Sequence, residues 1–228
     1  MAPPFFHRDA CLVAVDLLGC TIRHKVQGEW LCALIIETEA YYAQDRGSHA
    51  SLGYTKSRRS LFAPPGTIYM YYARGGDSFN LSCGGPGDAV LIKSAVPWDN
   101  SPGALERMHA LNPSASGKRR PDHALCSGQT LLCRALDLKV PALDGLTLGL
   151  PHFQIVQGNY SPSAIVQTTR LGIPGGRHEE LWQRFVVKEL AARATKNPLT
   201  MRGSAEGKTF MTLAPDGAPR WERTVHGL

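Results

Sequence analysis

No cysteine pair in this 228-residue chain has CxxC spacing, and no Cys/His cluster has the spacing of a zinc site. The six cysteines, Cys11, Cys20, Cys32, Cys83, Cys126 and Cys133, mostly stand in apolar stretches. A reduced thiol there behaves as a small hydrophobe, so free thiols are expected. No apolar run approaches the ~20 residues needed to span a bilayer. Met1 to His7 holds two prolines and no apolar segment after a basic start, so no secretory signal is expected. Acidic residues are in deficit, 19 against 25 Lys and Arg, giving a net charge of +6. That surplus permits a polyanionic partner without requiring one. Apolar residues at 43% and charged ones at 19% exclude collagen, a coiled coil and a wholly disordered chain. No internal repeat and no composition break divides the chain, so residues 1–228 are read as a single domain.

The patterning predicts a short helix over 9–18, a strand over 20–26 and a second strand over 30–39. Residues 41–62 are polar and aperiodic, and a loop that long inside a compact domain is usually functional or disordered. Strands over 67–73 and 78–83, joined by a turn over 74–77, make the clearest hairpin. A strongly apolar strand follows over 89–96, then helices over 104–111 and 129–138. Between those helices Lys118, Arg119 and Arg120 form an exposed basic loop. Further strands are expected over 153–157, 165–170 and 184–187, with a helix or turn over 178–182. Signals weaken after Lys188, and residues 189–228 are read as a peripheral tail or hairpin. The expected fold is mixed α+β: a curved, mostly antiparallel sheet with flanking helices and a protruding β-hairpin.

Six of the seven tyrosines fall between Tyr41 and Tyr72, a window that also holds Arg46, Lys56, Arg58 and Arg59 against Asp45 alone. Aromatic rings interleaved with cations suit stacking on bases and pairing with phosphates. Any one of these tyrosines is also a good strand former, at home half-buried in a sheet. Strand alternation puts Glu37, Glu39 and Tyr41 on one face and Thr38 on the other. Two carboxylates ending an apolar strand suggest a face that lines a cleft, one acting as a base and the other salt-bridged in support. The plainer alternative is a solvated strand end. Tyr69 and Tyr71 share a face, and Asn80 on the returning strand lies within reach of it. His49 sits in the long loop and on its own reads as a surface histidine.

The ordered run Ile36-Glu37-Thr38-Glu39-Ala40-Tyr41, Ser48-His49, Pro65-Gly66-Thr67-Ile68-Tyr69-Met70-Tyr71, Asn80 and Ala89-Val90-Leu91-Ile92-Lys93 resembles the alkyladenine (3-methyladenine) DNA glycosylase family. The resemblance covers residues 8–188, including Leu171-Gly172-Ile173 and Arg184-Phe185. It implies a DNA repair enzyme that flips an alkylated or deaminated purine out of the duplex and hydrolyses its N-glycosidic bond. Free base and an abasic site would be the products. It implies no metal and no organic cofactor. By the same resemblance Glu39 stands as the general base, and Tyr41, His49 and Tyr71 as walls sandwiching the flipped base. Asn80 stands at the base edge, and Lys93 where the family often has an arginine. Tyr69, Lys56, Arg58 and Arg59 are expected at the DNA surface. The expected partner is double-stranded DNA carrying damaged purines, bound by a monomer that engages no membrane. The expected location is cytoplasmic if bacterial or nuclear if eukaryotic, not secreted.

Two departures stand out. Much of the family places an aromatic three residues after the second hairpin tyrosine, where it plugs the hole left by the flipped nucleotide. Here that position reads Arg74, so an apolar wedge is missing and the guanidinium is expected to insert in its place. The loop between Tyr41 and His49 is also one residue shorter. No lysine is placed as a Schiff-base nucleophile, Lys93 being the single candidate, so a monofunctional enzyme is expected. Two rival readings compete with it. Ile173-Pro174-Gly175-Gly176 is a poor helix-hairpin-helix signal, without flanking paired helices. A non-catalytic basic domain that binds bent or damaged duplex would use the same tyrosines and cations, but a carboxylate among them would oppose binding. The catalytic reading requires Glu39 beside a tyrosine-lined cavity and not pinned by an internal ion pair with no room for solvent.

Overall fold

The computed structural model describes residues 1–73, 75–114 and 116–216. Helix α1 (Ala10–Asp16) starts at Asp9, whose carboxylate accepts from the amides of Cys11 and Leu12. Such a cap contributes about 1 kcal/mol. Asp9 also accepts from the Tyr42 hydroxyl at 2.9 Å, which ties the helix start to the end of a long strand. After α1 come β1 (Cys20–Val26), β2 (Glu29–Tyr41), β3 (Ile68–Ala73), β4 (Gly76–Ser82) and β5 (Ala89–Pro97). Helices α2 (Pro102–Leu111), α3 (Gln129–Ala135) and α4 (Val140–Leu143) follow, then β6 (Phe153–Gln157), β7 (Ile165–Thr168), β8 (Arg184–Val187) and β9 (Phe210–Leu213).

Among the described residues these nine strands join one open antiparallel sheet in the order β3-β4-β5-β2-β8-β7-β9, with β1 and β6 continuing beside β2. The chain is therefore the mixed α+β, antiparallel fold that its patterning predicts. The 13-residue β2 organises it. Leu34 pairs with Thr21 of β1 and with Val96 of β5, while Glu39 pairs with Arg184 of β8 and with Leu91 of β5. β1 and β8 thus follow one another along one edge of β2, and β5 covers the other. Alternation sends Ile68, Met70, Phe79, Leu81, Val90 and Ile92 into the main core. Tyr69 and Ala89 face the other way and join a small cluster with Ala50 and Leu61.

Several boundaries differ from the sequence-based expectation. The hairpin turn is tighter than 74–77: Ala73 pairs with Gly76. Gly75 sits at φ +82°, and a Cβ on Gly76 would lie 2.3 Å from the Thr130 side chain, so glycine is required at both. Arg74 lies outside the described residues. The aperiodic loop carries two 3-10 helices, His49–Leu52 and Lys56–Phe62, too short to leave a repeat. After Val187, in the region expected to be a peripheral tail or hairpin, come a 3-10 helix, Lys188–Arg193, and then β9, which pairs with β7 at one end of the sheet order. A four-residue edge strand is too brief to show a period. All six cysteines are free and buried, and burial pushes the Cys20 and Cys11 thiols up to about 11 and about 12. Among the described residues no helix is long and apolar enough to cross a membrane.

Candidate active site

Sheet register brings the site together. Glu39 pairs with Leu91, Leu91 with Asn80 and Asn80 with Tyr69, so these four stand abreast on β2, β5, β4 and β3. Two residues along on the same face come Tyr41, Lys93 and Tyr71. This face floors a cavity of about 590 Å³, within the size range of small-molecule sites. Tyr41, Tyr69, Tyr71, Asn80 and Lys93 line it from the sheet, His49 and Leu52 from the first 3-10 helix. The start of α3, Gln129 to Leu131, and the loop from Leu171 to Pro174 complete its walls.

The two carboxylates of β2 have different surroundings. A β-bulge displaces Glu37, which pairs with Ser94 out of register. Its oxygens accept from Arg184 Nε at 2.7 Å, Ser94 Oγ at 2.6 Å, and Thr195 N and Oγ1 at 2.9 and 3.0 Å. Glu37 is fully spoken for, the salt-bridged support expected of one of the pair. Glu39 lies just beneath the cavity floor with no exposed surface. Oε2 accepts from the Tyr41 hydroxyl at 2.7 Å, and Oε1 from the Leu171 amide at 3.2 Å. Lys93 Nζ stands 3.5 Å from Oε1. Burial works to raise the Glu39 pKa, but the Lys93 charge, the Tyr41 hydroxyl, the Leu171 amide and the Arg184 charge together hold it below the ordinary carboxylate range. The same burial, with the Glu39 charge, pushes the Tyr41 phenol well up, so it stays a donor. The carboxylate therefore adjoins the tyrosine-lined cavity, and its ion-pair partner, Lys93, itself lines that cavity.

His49 Nδ1 lies 3.0 Å from the Tyr69 hydroxyl, and its ring centroid is 4.4 Å from that of Tyr71. Burial and the charges of Arg58 and Arg177 lower its pKa, which leaves the ring neutral near pH 7. Asn80 Nδ2 donates to the Tyr69 carbonyl at 3.2 Å. Among the residues expected at the DNA surface, Lys56 and Arg59 are exposed. Tyr69 is instead 3% exposed and belongs to the cavity floor. Arg58 is half-buried, its Nη1 donating to the carbonyls of Leu52 and Gly53. In the loop after α2, Arg119 is paired with Glu106.

Sequence reasoning missed a buried ion pair behind Tyr41. The Arg170 guanidinium lies 4.7 Å from the Tyr41 ring centroid and is paired with Asp45, both side chains being fully buried. Asp45 also accepts from the Gly47 amide at 2.8 Å, and Arg170 donates to the His178 carbonyl at 3.2 Å. The pair thus joins both loops that wall the cavity. An arginine placed directly before Leu171-Gly172-Ile173 was the available signal. Among the described residues no group of three His, Cys, Asp or Glu is placed to hold a metal ion.

The sequence pattern described as Methylpurine-DNA glycosylase (MPG) matches residues 4–191. A protein of Pseudomonas savastanoi pv. phaseolicola, named "Putative 3-methyladenine DNA glycosylase", is 56% identical over 212 residues, covering 92% of this chain and 95% of its own length. A Pseudomonas aeruginosa protein of the same name is 53% identical over 214 residues, 92% of this chain and 88% of its own. One from Rhizobium etli is 36% identical over 187 residues, 81% of this chain and 83% of its own. The chain belongs to the methylpurine-DNA glycosylase family, a class of DNA glycosylases that hydrolyse N-glycosyl bonds.

Proposed function

We propose that this chain removes methylated purines, 3-methyladenine among them, from duplex DNA by rotating the nucleotide into the tyrosine-lined cavity and hydrolysing the N-glycosidic bond. The observation that carries this reading is the Glu39 carboxylate in contact with Tyr41, Leu171 and Lys93, three residues that line the tyrosine-rich cavity. Rotation out of the stack costs a few kcal/mol, least for a damaged base. Stacking on Tyr41, His49 and Tyr71 recovers about 1–3 kcal/mol per base. A base alkylated at N3 or N7 is cationic, stacks well and leaves readily. Water oxygen bonds to the anomeric carbon, the carbon–nitrogen bond breaks with its electron pair going to the base, and Glu39 takes the water proton. Its charge also faces the developing oxocarbenium ion. Asn80 contacts the base edge, while Lys56 and Arg59 meet phosphates. No step calls on a Schiff base, so strand cleavage is not part of the reaction.

The ion pair with Lys93 is central to this mechanism. Glu39 reaches water only once Lys93 gives way, and a cationic base entering the cavity repels the ammonium from its place. The Lys93 charge also keeps Glu39 ionised. Replacing Lys93 with Met leaves the effect of burial less opposed, so the Glu39 pKa rises. The acid limb of the excision rate then moves to higher pH, whereas Lys93→Arg leaves it in place. A single-turnover pH profile that is identical in Lys93→Met and wild type would break the link between this pair and catalysis.

The second reading, binding without chemistry, draws on the absence of exposed surface at Glu39. The separating experiment is single-turnover release of free base from duplexes carrying 3-methyladenine, 7-methylguanine, hypoxanthine or ethenoadenine. Release from at least one is expected, and binding without release from any would leave the second reading.

A further inference from the structure

We propose that Leu52 is the wedge that enters the duplex as the nucleotide leaves it, a proposal that rests on the glycosylase reading above. Six large apolar side chains stand exposed among the described residues: Leu52, Tyr54, Tyr72, Trp98, Leu146 and Met201. Leu52, 57% exposed, is the one of these that also lines the cavity. Tyr54 and Tyr72 are more exposed, at 67% each, but neither reaches the cavity. An isolated exposed leucine needs no explanation. One that is exposed and also lines the proposed base-binding cavity, with Lys56 and Arg59 exposed nearby in the chain, has a duplex as its natural occupant: phosphates for the cations and a base step for the apolar side chain.

The turn is built to hold that side chain still. Ser48 Oγ accepts from the Ala50 amide at 3.1 Å, and Ser51 Oγ donates to the Ser48 carbonyl at 2.8 Å. Gly53, at φ +78°, reverses the chain and donates its amide to the Ala50 carbonyl at 2.9 Å. Arg58 clamps the carbonyls of both Leu52 and Gly53. A Cβ on Gly53 would meet nothing within 4 Å, so the tip projects into open space. Hydrogen bonds thus hold the backbone on both sides of Leu52 while its side chain stays more than half exposed.

His49 and Leu52 are the first and last residues of the 3-10 helix His49–Leu52. In a 3-10 helix side chains three apart eclipse one another. The ring proposed to stack on the extruded base and the side chain proposed to replace it in the duplex therefore project in line from one unit. This arrangement supplies on the loop an apolar wedge where the hairpin position reads Arg74.

The test compares Leu52→Ala, Leu52→Phe and wild type in single-turnover excision of one lesion, in a duplex and in the same strand unpaired. A single strand has no stack to refill, so the wedge has no task there. Leu52→Ala is expected to lose at least tenfold more excision rate on duplex than on single strand, and to regain duplex activity as Leu52→Phe. Undiminished duplex excision by Leu52→Ala overturns the proposal. An equal loss on both substrates also overturns it, since Leu52 would then act only as a cavity wall. Wild type releasing base from neither substrate would remove the glycosylase reading, and the wedge with it.

Discussion

Glu39→Gln is expected to hold lesion-bearing duplex at least as tightly as wild type and to release base at least about a hundredfold more slowly, within the 10²–10⁴ range of a positioned general base. Glutamine keeps the shape of the side chain. Its carbonyl oxygen still accepts from the Leu171 amide, and its NH₂ can donate to the Tyr41 oxygen, so the floor of the cavity keeps its form. The negative charge alone is lost, and with it the proton acceptor and the counter-charge to the oxocarbenium ion. Tighter binding is expected because a carboxylate beneath an anionic backbone opposes association. The check is a pair of measurements on one duplex: Kd by titration and the single-turnover rate of base release. A rate within tenfold of wild type would mean that another group activates water. The substitution also leaves the Lys93 ammonium without its partner, so a fall in Tm should accompany it.

The second large effect is structural. Asp45→Asn leaves the Arg170 guanidinium buried and unpaired, and removing one member of a buried ion pair costs about 3–5 kcal/mol. For a chain of this length that is a fall in Tm of about 6–20 °C. Excision should also slow at temperatures where the variant is folded. Arg170 lies behind the Tyr41 ring, and the next residue, Leu171, gives its amide to Glu39. Loosening the pair therefore disturbs two of the three contacts that orient the carboxylate. Asp45→Asn combined with Arg170→Met removes both charges and should recover part of the lost stability without restoring the rate. A Tm unchanged in Asp45→Asn would show that the pair contributes nothing to the fold. Recovery of both stability and rate in the double variant would show that charge balance, not the seating of Tyr41, was at stake.

Much of the sheet was legible because its strands are half-buried and alternate. Residues 20–26, 153–157 and 184–187 were bounded as strands from pattern alone, and they are strands over those residues. The face that carries Glu39, Tyr41 and Tyr71 followed from the same period of two. What escaped was set by contacts between distant segments. The bulge at Glu37, the reach of Leu171 to Glu39 and the pairing of Asp45 with Arg170 join residues on different elements, and no local pattern announces them. Tyr69 looked like a surface aromatic because its burial depends on Ala50, Leu61 and Ala89 folding over it. The hold of Arg58 Nη1 on the carbonyls of Leu52 and Gly53 was likewise hidden, because a count of charges does not show what a guanidinium touches in its own loop.

The seclusion of the cysteines has a chemical consequence. Methylating electrophiles prefer soft anionic sulfur, and the reactive species is the thiolate. All six cysteines here are buried, and burial raises the pKa of Cys11, Cys20, Cys32, Cys83, Cys126 and Cys133 alike. The chain thus presents no exposed thiolate to the class of reagent that creates methylated purines. An enzyme built this way would keep working through the exposure that makes it necessary.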